Sequence, residues 1–270
     1  MVKTTKHILF FTCLAILFNS CDKYSKIEKS SDMDKKYEYA LKYYNKKDYF
    51  HASGLLEELL TVFRGTDKGE EVMYYYAFAN YNMGDYILSS YHFKNFVRNY
   101  PNSKHAEECS YMNAYCYYLT SPVYSLDQSD TEEAIKQLQS IVNTFPNSTR
   151  LAEANTMMAE LRGKLERKAY ETAKQYYHIG DFKSATLSFA NVLKDFPGSK
   201  YSEELSFLII RSNYLLAFNS IESKKAERYK NTIDSYFKFI DKYPNSSYMK
   251  AAESIYNDAL KFQKQKTKTT

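Results

Sequence analysis

The sequence predicts an all-α protein built from repeats, and three observations support this prediction. Glycine and proline are scarce, with 7 and 5 of 270 residues, against usual frequencies of about 7% and about 5%. Aromatic residues are abundant, with 28 Tyr and 17 Phe, which is enough to fill the core of a folded chain. A short motif also recurs along the chain at helical spacing. Together these features favour an array of helices over a turn-rich β fold.

The recurring motif contains four of the five prolines. It consists of an aromatic residue, proline, Asn or Gly, and Ser, and its copies begin at Tyr100, Phe145, Phe196 and Tyr243. A degenerate copy without proline begins at Phe63. Because proline lacks an N–H and clashes with the preceding helical turn, each copy is expected to end a helix.

The residues before each motif have a helical period. Fifteen residues before each aromatic stands Asp48, Asp85, Asp130, Asp181 or Arg228. Aspartate is a good N-cap, and Gly84 and Gly180 would supply the tight turn before two of these helices. The positions four, eight and twelve residues later trace one helix face. The first of these positions is small in every copy: Ala52, Ser89, Ala134, Ala185 and Thr232.

A partner helix precedes this helix in repeats one, two and four, where Ala and Tyr recur at fixed distances before the aspartate. Pairs of helices with small and aromatic positions, ended by proline, are typical of tetratricopeptide (TPR) repeats. We therefore predict a right-handed α-solenoid of five helix pairs. Repeats one to three are expected over residues 34–148, and a long helix with repeats four and five over 149–260. Residues 261–270 are expected to form a disordered tail.

The N-terminus has the features of a secretion signal over residues 1–20. Lys3 and Lys6 precede an apolar run, Ile8–Phe18, which is too short to span a membrane. The run ends at Ser20-Cys21, and a small residue before a cysteine resembles the lipobox of bacterial lipoproteins, in which that cysteine is diacylated. We therefore expect lipidation at Cys21 and a flexible lipidated tether over residues 21–33. An ordinary signal peptide with a chance cysteine is the alternative.

The sequence offers no catalytic, metal or cofactor site. The histidines are scattered, and no zinc-protease, nucleophile-elbow or phosphate-loop motif occurs. His105 and Cys109 lie four residues apart without further ligands, and Cys109 and Cys116 are interpreted as buried residues on one helix face. Five Glu-Glu pairs are interpreted as solvated faces, because adjacent helical residues point about 100° apart. The net charge of +5 predicts no dedicated nucleic-acid surface.

Two surfaces are candidate binding sites for protein partners. Tyrosines of the first helices occupy the position where some TPR proteins carry a carboxylate clamp, which favours a groove for extended, aromatic-rich peptides. Inter-helix packing is the alternative role for each of these aromatics. The groove candidates are Tyr37, Tyr44, Tyr74, Phe78 and Tyr81. A basic patch of Lys183, Lys194, Arg211 and Arg228 would either meet an acidic partner or simply keep the array soluble.

The whole mature chain resembles the BamD family, the TPR lipoproteins of the outer-membrane β-barrel assembly machinery. The resemblance rests on the lipoprotein signal, five TPRs over residues 34–260, the insertion at residues 121–128, and the long helix before Tyr170. It implies a non-enzymatic scaffold without cofactors, lipid-anchored at the periplasmic face of the outer membrane. Its C-terminal repeats would dock on a periplasmic domain of the insertase BamA, and its N-terminal repeats would help recruit unfolded outer-membrane proteins.

Two alternatives to this assignment remain at the level of the sequence. Another periplasmic TPR lipoprotein, a scaffold for cell division or envelope maintenance, would have the same repeats, because TPRs serve many scaffolds. Asp22 directly after Cys21 also resembles an inner-membrane retention signal, which leaves the choice of membrane open.

Overall fold

The computed structural model describes residues 23–267, which form twelve helices and no strand in that range. Helix α1 (residues 23–28) precedes a series of helix pairs. The pairs are α2 (Met33–Asn45) with α3 (Tyr49–Val62), α4 (Asp67–Asn82) with α5 (Tyr86–Asn99), α6 (Ala106–Thr120) with α7 (Ser129–Thr144), α8 (Leu151–His178) with α9 (Phe182–Asp195), and α10 (Ser202–Phe218) with α11 (Glu222–Lys242), followed by α12 (Met249–Thr267). The predicted all-α array of five TPR-type helix pairs is confirmed.

The starts of the second helices follow the predicted capping in three of the five pairs. Asp48, Asp85 and Asp181 each accept a hydrogen bond from the backbone N–H three residues later, which satisfies a donor that the helix leaves unpaired. The expectation was wrong for the fourth aspartate. Asp130 lies inside the first turn of α7, and Arg228, the one register position without an aspartate, lies inside α11. Each of these helices begins earlier, after an N-cap residue that makes no side-chain capping bond.

The predicted register of the second helices is confirmed by burial. All five small positions are completely buried: Ala52, Ser89, Ala134, Ala185 and Thr232. The hydroxyl of Ser89 donates to the backbone oxygen of Ala77 on the partner helix at 2.9 Å. Small side chains at these positions let the two helices of a pair approach closely, and large aromatics such as Phe93 and Phe189 fill the space one turn further on.

The chain divides into two compact units. Among the described residues, the first unit comprises residues 23–122 and 127–161, and the second comprises residues 123–126 and 162–267. Helix α8 contributes residues to both. Within the second unit, the insertion is held by α8, because the guanidinium of Arg167 lies 4.1 Å from the ring of Tyr124 and Lys168 Nζ donates to the backbone oxygen of Leu126 at 2.5 Å. The predicted domain boundaries stay predictions.

Residues 23–28 are helical, where the sequence predicted a flexible tether. Ile27 is buried in the core of the first repeat. The buried Lys36 donates from Nζ to the backbone oxygen of Glu28 at 2.9 Å and pairs with Glu58 at 2.5 Å. These contacts fasten α1 to the first pair, and they depend on residues too distant in sequence for local composition to reveal. The predicted signal peptide and Cys21 lie outside the described residues.

The prediction of a disordered tail over residues 261–270 also needs correction, because helix α12 continues to Thr267. The ring of Phe262 packs 4.5 Å from that of Tyr229 on α11, and Ala259 is completely buried. Packing against α11 therefore extends the helix into the segment that was expected to be a disordered tail. Within the described range, no helix has both the length and the apolar character needed to cross a membrane.

Candidate protein-interaction site

A row of tyrosines joins the first helices of neighbouring repeats. In each case a tyrosine hydroxyl donates to a glutamate carboxylate 34 residues later, in the first helix of the next repeat. We call these contacts the tyrosine–glutamate ladder, and its rungs are Tyr37–Glu71, Tyr74–Glu108 and Tyr170–Glu204. The second and third rungs measure 2.9 Å and 2.8 Å between oxygens. Two rungs belong to the first unit and one to the second.

The ladder tyrosines stay protonated at neutral pH. Burial, reinforced by the hydrogen bond to Glu71, raises the pKa of Tyr37 above its ordinary value. Burial and Glu108 raise the pKa of Tyr74 in the same way. Burial also raises the pKa of Tyr170, although Lys174, whose Nζ lies 2.8 Å from the hydroxyl, opposes the rise. Each hydroxyl is therefore a permanent donor that holds its ring in a fixed orientation.

The ladder shows that at least two of the Glu-Glu pairs, which were interpreted as solvated faces, also make specific hydrogen bonds, although Glu71 itself is exposed. Glu71 and Glu204 accept the tyrosines, and the preceding glutamates accept serines of the proline motif. Glu70 accepts from Ser103 at 2.6 Å, and Glu203 accepts from Ser246 at 2.5 Å. The two glutamates of a pair do point in different directions. In a repeat array, however, one of them meets the tyrosine of the preceding repeat and the other meets a serine of the proline motif. The constant spacing of Tyr and Glu in the sequence would have revealed the ladder.

Aromatic side chains continue from the ladder along α2, α4 and α6 of the first unit. Tyr44 and Tyr75 lie 4.9 Å apart, and Tyr74 and Phe78 lie 4.7 Å apart. We call the half-buried members of this surface the aromatic strip: Tyr44, Tyr74, Tyr75, Phe78, Tyr81, Tyr115 and Tyr118. Each member keeps part of its ring accessible while its neighbours fix the rest, so the strip offers preformed aromatic surface.

The structure places four of the five groove candidates on the aromatic strip. Tyr44, Tyr74, Phe78 and Tyr81 are half-buried, and burial raises the pKa of Tyr44 to about 12. Tyr37 differs, because it is only 8% exposed and its hydroxyl is bound to Glu71. Its ring therefore packs between helices and offers little surface to a ligand. Peptide binding by these residues stays a prediction.

Sequence reasoning missed three members of the strip. Tyr75 lies next to Tyr74, and Tyr115 and Tyr118 lie on α6, the first helix of the third repeat. A signal was present, because Tyr118 follows Tyr81 at the same spacing of 37 residues that separates Tyr81 from Tyr44. The insertion after Tyr118 hid this alignment, since the distance to the next aspartate changes in that repeat.

The basic residues of the second unit lie on three helices. Lys183 and Lys194 are exposed on α9, and Arg211 is exposed on α10, with its guanidinium 5.8 Å from the ring of Tyr177. Arg228 on α11 is half-buried and donates to the hydroxyl of Ser220. No contact among the described residues joins the four side chains, so a shared patch stays a prediction.

The cysteines and the candidate metal ligands were also singled out in the sequence. No group of three or more His, Cys, Asp or Glu side chains among the described residues is placed to hold a metal ion. The predicted burial of Cys109 and Cys116 is confirmed. Burial raises the pKa of Cys116 to about 11 and also raises that of Cys109, so both remain unreactive thiols at neutral pH.

Comparison with solved structures finds TPR proteins of low sequence identity. The TPR domain of P58(IPK) is 17% identical, with 90% of this chain and 68% of that chain covered and a TM-score of 0.42. The TPR2AB domain of yeast Sti1, solved with pHSP90, is 14% identical, with coverages of 85% and 98% and a TM-score of 0.39. A TPR repeats protein from Bacteroides fragilis is 13% identical, with coverages of 86% and 100% and a TM-score of 0.38.

Comparison with family models gives a more specific result. No curated protein matches the chain, but the model of the YfiO family, described as outer membrane lipoprotein, matches residues 29–229. The match covers well over half of the chain and extends from the residue after helix α1 into α11. The chain therefore belongs to the YfiO family of outer membrane lipoproteins.

Proposed function

We propose that this protein is a BamD-like scaffold of outer-membrane β-barrel assembly. In this proposal Cys21 carries the lipid anchor, the repeats lie on the periplasmic side of the outer membrane, and the protein performs no catalysis. It docks on a periplasmic domain of a BamA-type insertase and helps recruit unfolded segments of outer-membrane proteins. Membership of the YfiO family supports the location, and the aromatic strip is the observation that supports the recruitment of clients.

The aromatic strip suits an extended client segment for a physical reason. Strands of outer-membrane barrels alternate apolar with polar side chains and carry aromatic girdles, so an unfolded segment presents aromatic groups at regular intervals. The strip offers tyrosine rings whose orientation is already fixed by neighbouring rings, and at Tyr74 also by the bond to Glu108. Binding to a preordered surface loses little side-chain entropy.

A matched pair of variants tests client binding. Tyr81 and Tyr177 both lie four residues before an aspartate cap, but Tyr81 belongs to the strip and Tyr177 to the second unit. We expect Tyr81→Ala to weaken binding of an aromatic-rich outer-membrane protein segment by roughly fivefold or more, as at a typical interface anchor. Tyr177→Ala should leave the affinity nearly unchanged. Fluorescence anisotropy of a labelled segment measures both, and equal losses would contradict the assignment to the first unit.

The proposed partner is tested by affinity purification from solubilised membranes. We expect a β-barrel insertase among the recovered proteins, and recovery of cell-division or envelope-maintenance proteins instead would favour the alternative scaffold function.

Charge reversal at Lys183 and Arg211 should slow association with the insertase domain if the exposed basic residues steer docking. Mass spectrometry of the mature N-terminus should show an acylated Cys21, and retention of a Cys21→Ala protein in the membrane would contradict the anchor.

A further inference from the structure

The N-terminal end of the first unit carries a basic surface that lies outside the aromatic strip. It consists of four exposed lysines, the half-buried ring of Tyr39 and the side chain of Phe50. We call it the N-terminal basic face: Lys23, Tyr39, Lys42, Lys46, Lys47 and Phe50.

Helix α1 fixes one edge of this face. The ring of Tyr24 lies 4.3 Å from that of His51 and 5.8 Å from that of Tyr43. Its hydroxyl sits so close to Gly54 that a Cβ at that glycine would lie 2.6 Å from it. Because α1 is seated directly on α2 and α3, Lys23 has a defined position on the first repeat. Only Asp22 separates Lys23 from Cys21 in the sequence.

Two lysines of the face lie over an aromatic ring. The Nζ atoms of Lys23 and Lys42 lie 5.9 Å and 5.6 Å from the ring of Tyr39. Within the described range, Lys23, Lys42, Lys46 and Lys47 form no ion pair. The neighbouring carboxylate of Asp48 caps α3 and contacts the His51 ring at 2.8 Å.

An exposed aromatic lies beside these lysines. Phe50 is 75% exposed in the first turn of α3, and its ring lies 5.6 Å from that of His51. Lys46 and Lys47 form the turn just before it. An aromatic side chain among lysines that are not held in ion pairs is the combination by which peripheral proteins hold an anionic membrane surface, since the lysines attract the headgroups and the ring enters the interface.

We propose that the N-terminal basic face lies against the anionic phospholipid headgroups of the membrane that holds the anchor, with Phe50 in the interface. This inference rests on the lipid anchor at Cys21 in the proposed function. The lipidated Cys21 would lie two residues before Lys23, the first residue of α1. Because α1 packs on the first repeat, the anchor would be joined to that repeat without a flexible linker. The first unit would then be held at a fixed orientation to the bilayer instead of swinging on a tether.

Tryptophan fluorescence tests the proposal, because the chain contains no tryptophan. Phe50→Trp places a single reporter on the face. Ile87→Trp is the matched control, because both positions lie two residues after an aspartate cap and Ile87 is 77% exposed against 75% for Phe50. Each full-length variant is expressed with its signal in a host that processes lipoproteins, purified, and reconstituted into vesicles of phosphatidylethanolamine, with or without phosphatidylglycerol, and with brominated acyl chains as quenchers.

With phosphatidylglycerol present, the proposal expects a blue-shifted, quenched emission at position 50 and a solvent-like emission at position 87. Replacing Lys42 and Lys46 by Gln in the Phe50→Trp protein should lower the ratio of docked to undocked protein roughly fivefold per lysine. Vesicle-bound protein with solvent-like emission at position 50, or equal quenching at both positions, would overturn the proposal. Failure of the protein to float with vesicles at all would instead overturn the anchor at Cys21.

Discussion

The two units use one repeat position in different ways. In the first unit, Tyr37 and Tyr74 each donate to a glutamate of the next repeat. In the second unit, Tyr170 shares Glu204 with Lys174, and the residue that follows it in register, Phe207, has no hydroxyl and stacks on Tyr248 at 4.8 Å. Successive repeats are therefore joined by a hydrogen bond, by a ring stack or, at Tyr170, by both, since its ring also stacks on Tyr201 at 3.8 Å. The chemistry of the contact between repeats can therefore vary, while the packing of the two helices within each pair stays the same.

The cores of the two units, by contrast, contain similar residues at matched register positions. Phe93 and Phe189 occupy the same register position and are completely buried, as are the small residues Ala134 and Ala185. The difference between the units thus lies at the first helices and on the surface. Binding specificity can diverge there without disturbing the packing that holds each pair together.

The largest expected effect tests whether the cores are equivalent. Phe93→Ala and Phe189→Ala should each lower the free energy of unfolding by about 3–5 kcal/mol, because each leaves a cavity in a sealed core. Hydrogen exchange resolved by unit should place the loss of protection in the first unit for Phe93→Ala and in the second for Phe189→Ala. A much smaller loss of unfolding free energy for one of the two variants would show that the two cores are not equivalent.

Overpacking the close-contact position gives the next largest effect. Ala134→Leu and Ala185→Leu should each cost about 1–3 kcal/mol, because the added atoms must push the two helices of a pair apart. Lys136→Leu on the same helix as Ala134 is the control, since its side chain is 72% exposed and makes only a surface ion pair with Glu133. Chemical denaturation measures all three, and equal losses at residues 134 and 136 would mean that the register is wrong.

These core positions are also the part of the molecule that the sequence predicted best. Ala52, Ser89 and Ala185 share one offset from the proline motif, so a repeated pattern identified them even without knowledge of their neighbours. A single position was less reliable, because Asp130 was expected to cap a helix and lies inside the first turn of α7. A pattern that recurs in several repeats is therefore a more reliable predictor of structure than one residue.

Contacts between distant residues could not be predicted in this way. The tether was expected to be flexible because residues 22–33 are polar, yet Ile27 and Lys36 fix α1 to the first pair. The glutamates of the ladder were assigned to solvent because glutamate is usually exposed. In both cases a partner far away in sequence decides the outcome, and composition carries no information about that partner.

A moderate effect is expected when the ladder of the first unit is cut. Tyr74→Phe should lower the free energy of unfolding by about 1 kcal/mol, because the Glu108 carboxylate loses a hydrogen bond but remains partly solvated. A double-mutant cycle with Glu108→Gln isolates the contact. In the second unit Phe207→Tyr adds a hydroxyl where stacking already joins the repeats, so it should bring no comparable gain.

Alkaline pH should weaken the ladder. The folded protein holds the protons of Tyr37 and Tyr74 more tightly than the unfolded chain does, because burial raises both pKa values. Stability from this source is fully present below the ordinary tyrosine pKa of about 10 and is lost as the pH rises above it. Unfolding measured from neutral to alkaline pH should show a shallower loss in a protein with both tyrosines replaced by Phe. An unchanged slope would contradict the role of these hydroxyls.

The smallest expected effect is the response of client binding to salt. Contacts at the aromatic strip are apolar and aromatic, and the strip itself contains no charged residue. Raising the ionic strength from about 0.1 M to about 1 M shortens the screening length from about 10 Å to about 3 Å, which weakens exposed charge pairs but leaves ring contacts intact. The affinity for an aromatic-rich segment should therefore stay nearly constant, whereas the association rate with an acidic partner at Lys183 and Arg211 should fall. Isothermal titration and stopped-flow association measure the two quantities on the same protein. A steep loss of client affinity would move the client site from the aromatic strip to the basic residues, and the two units would then no longer differ in the kind of partner they bind.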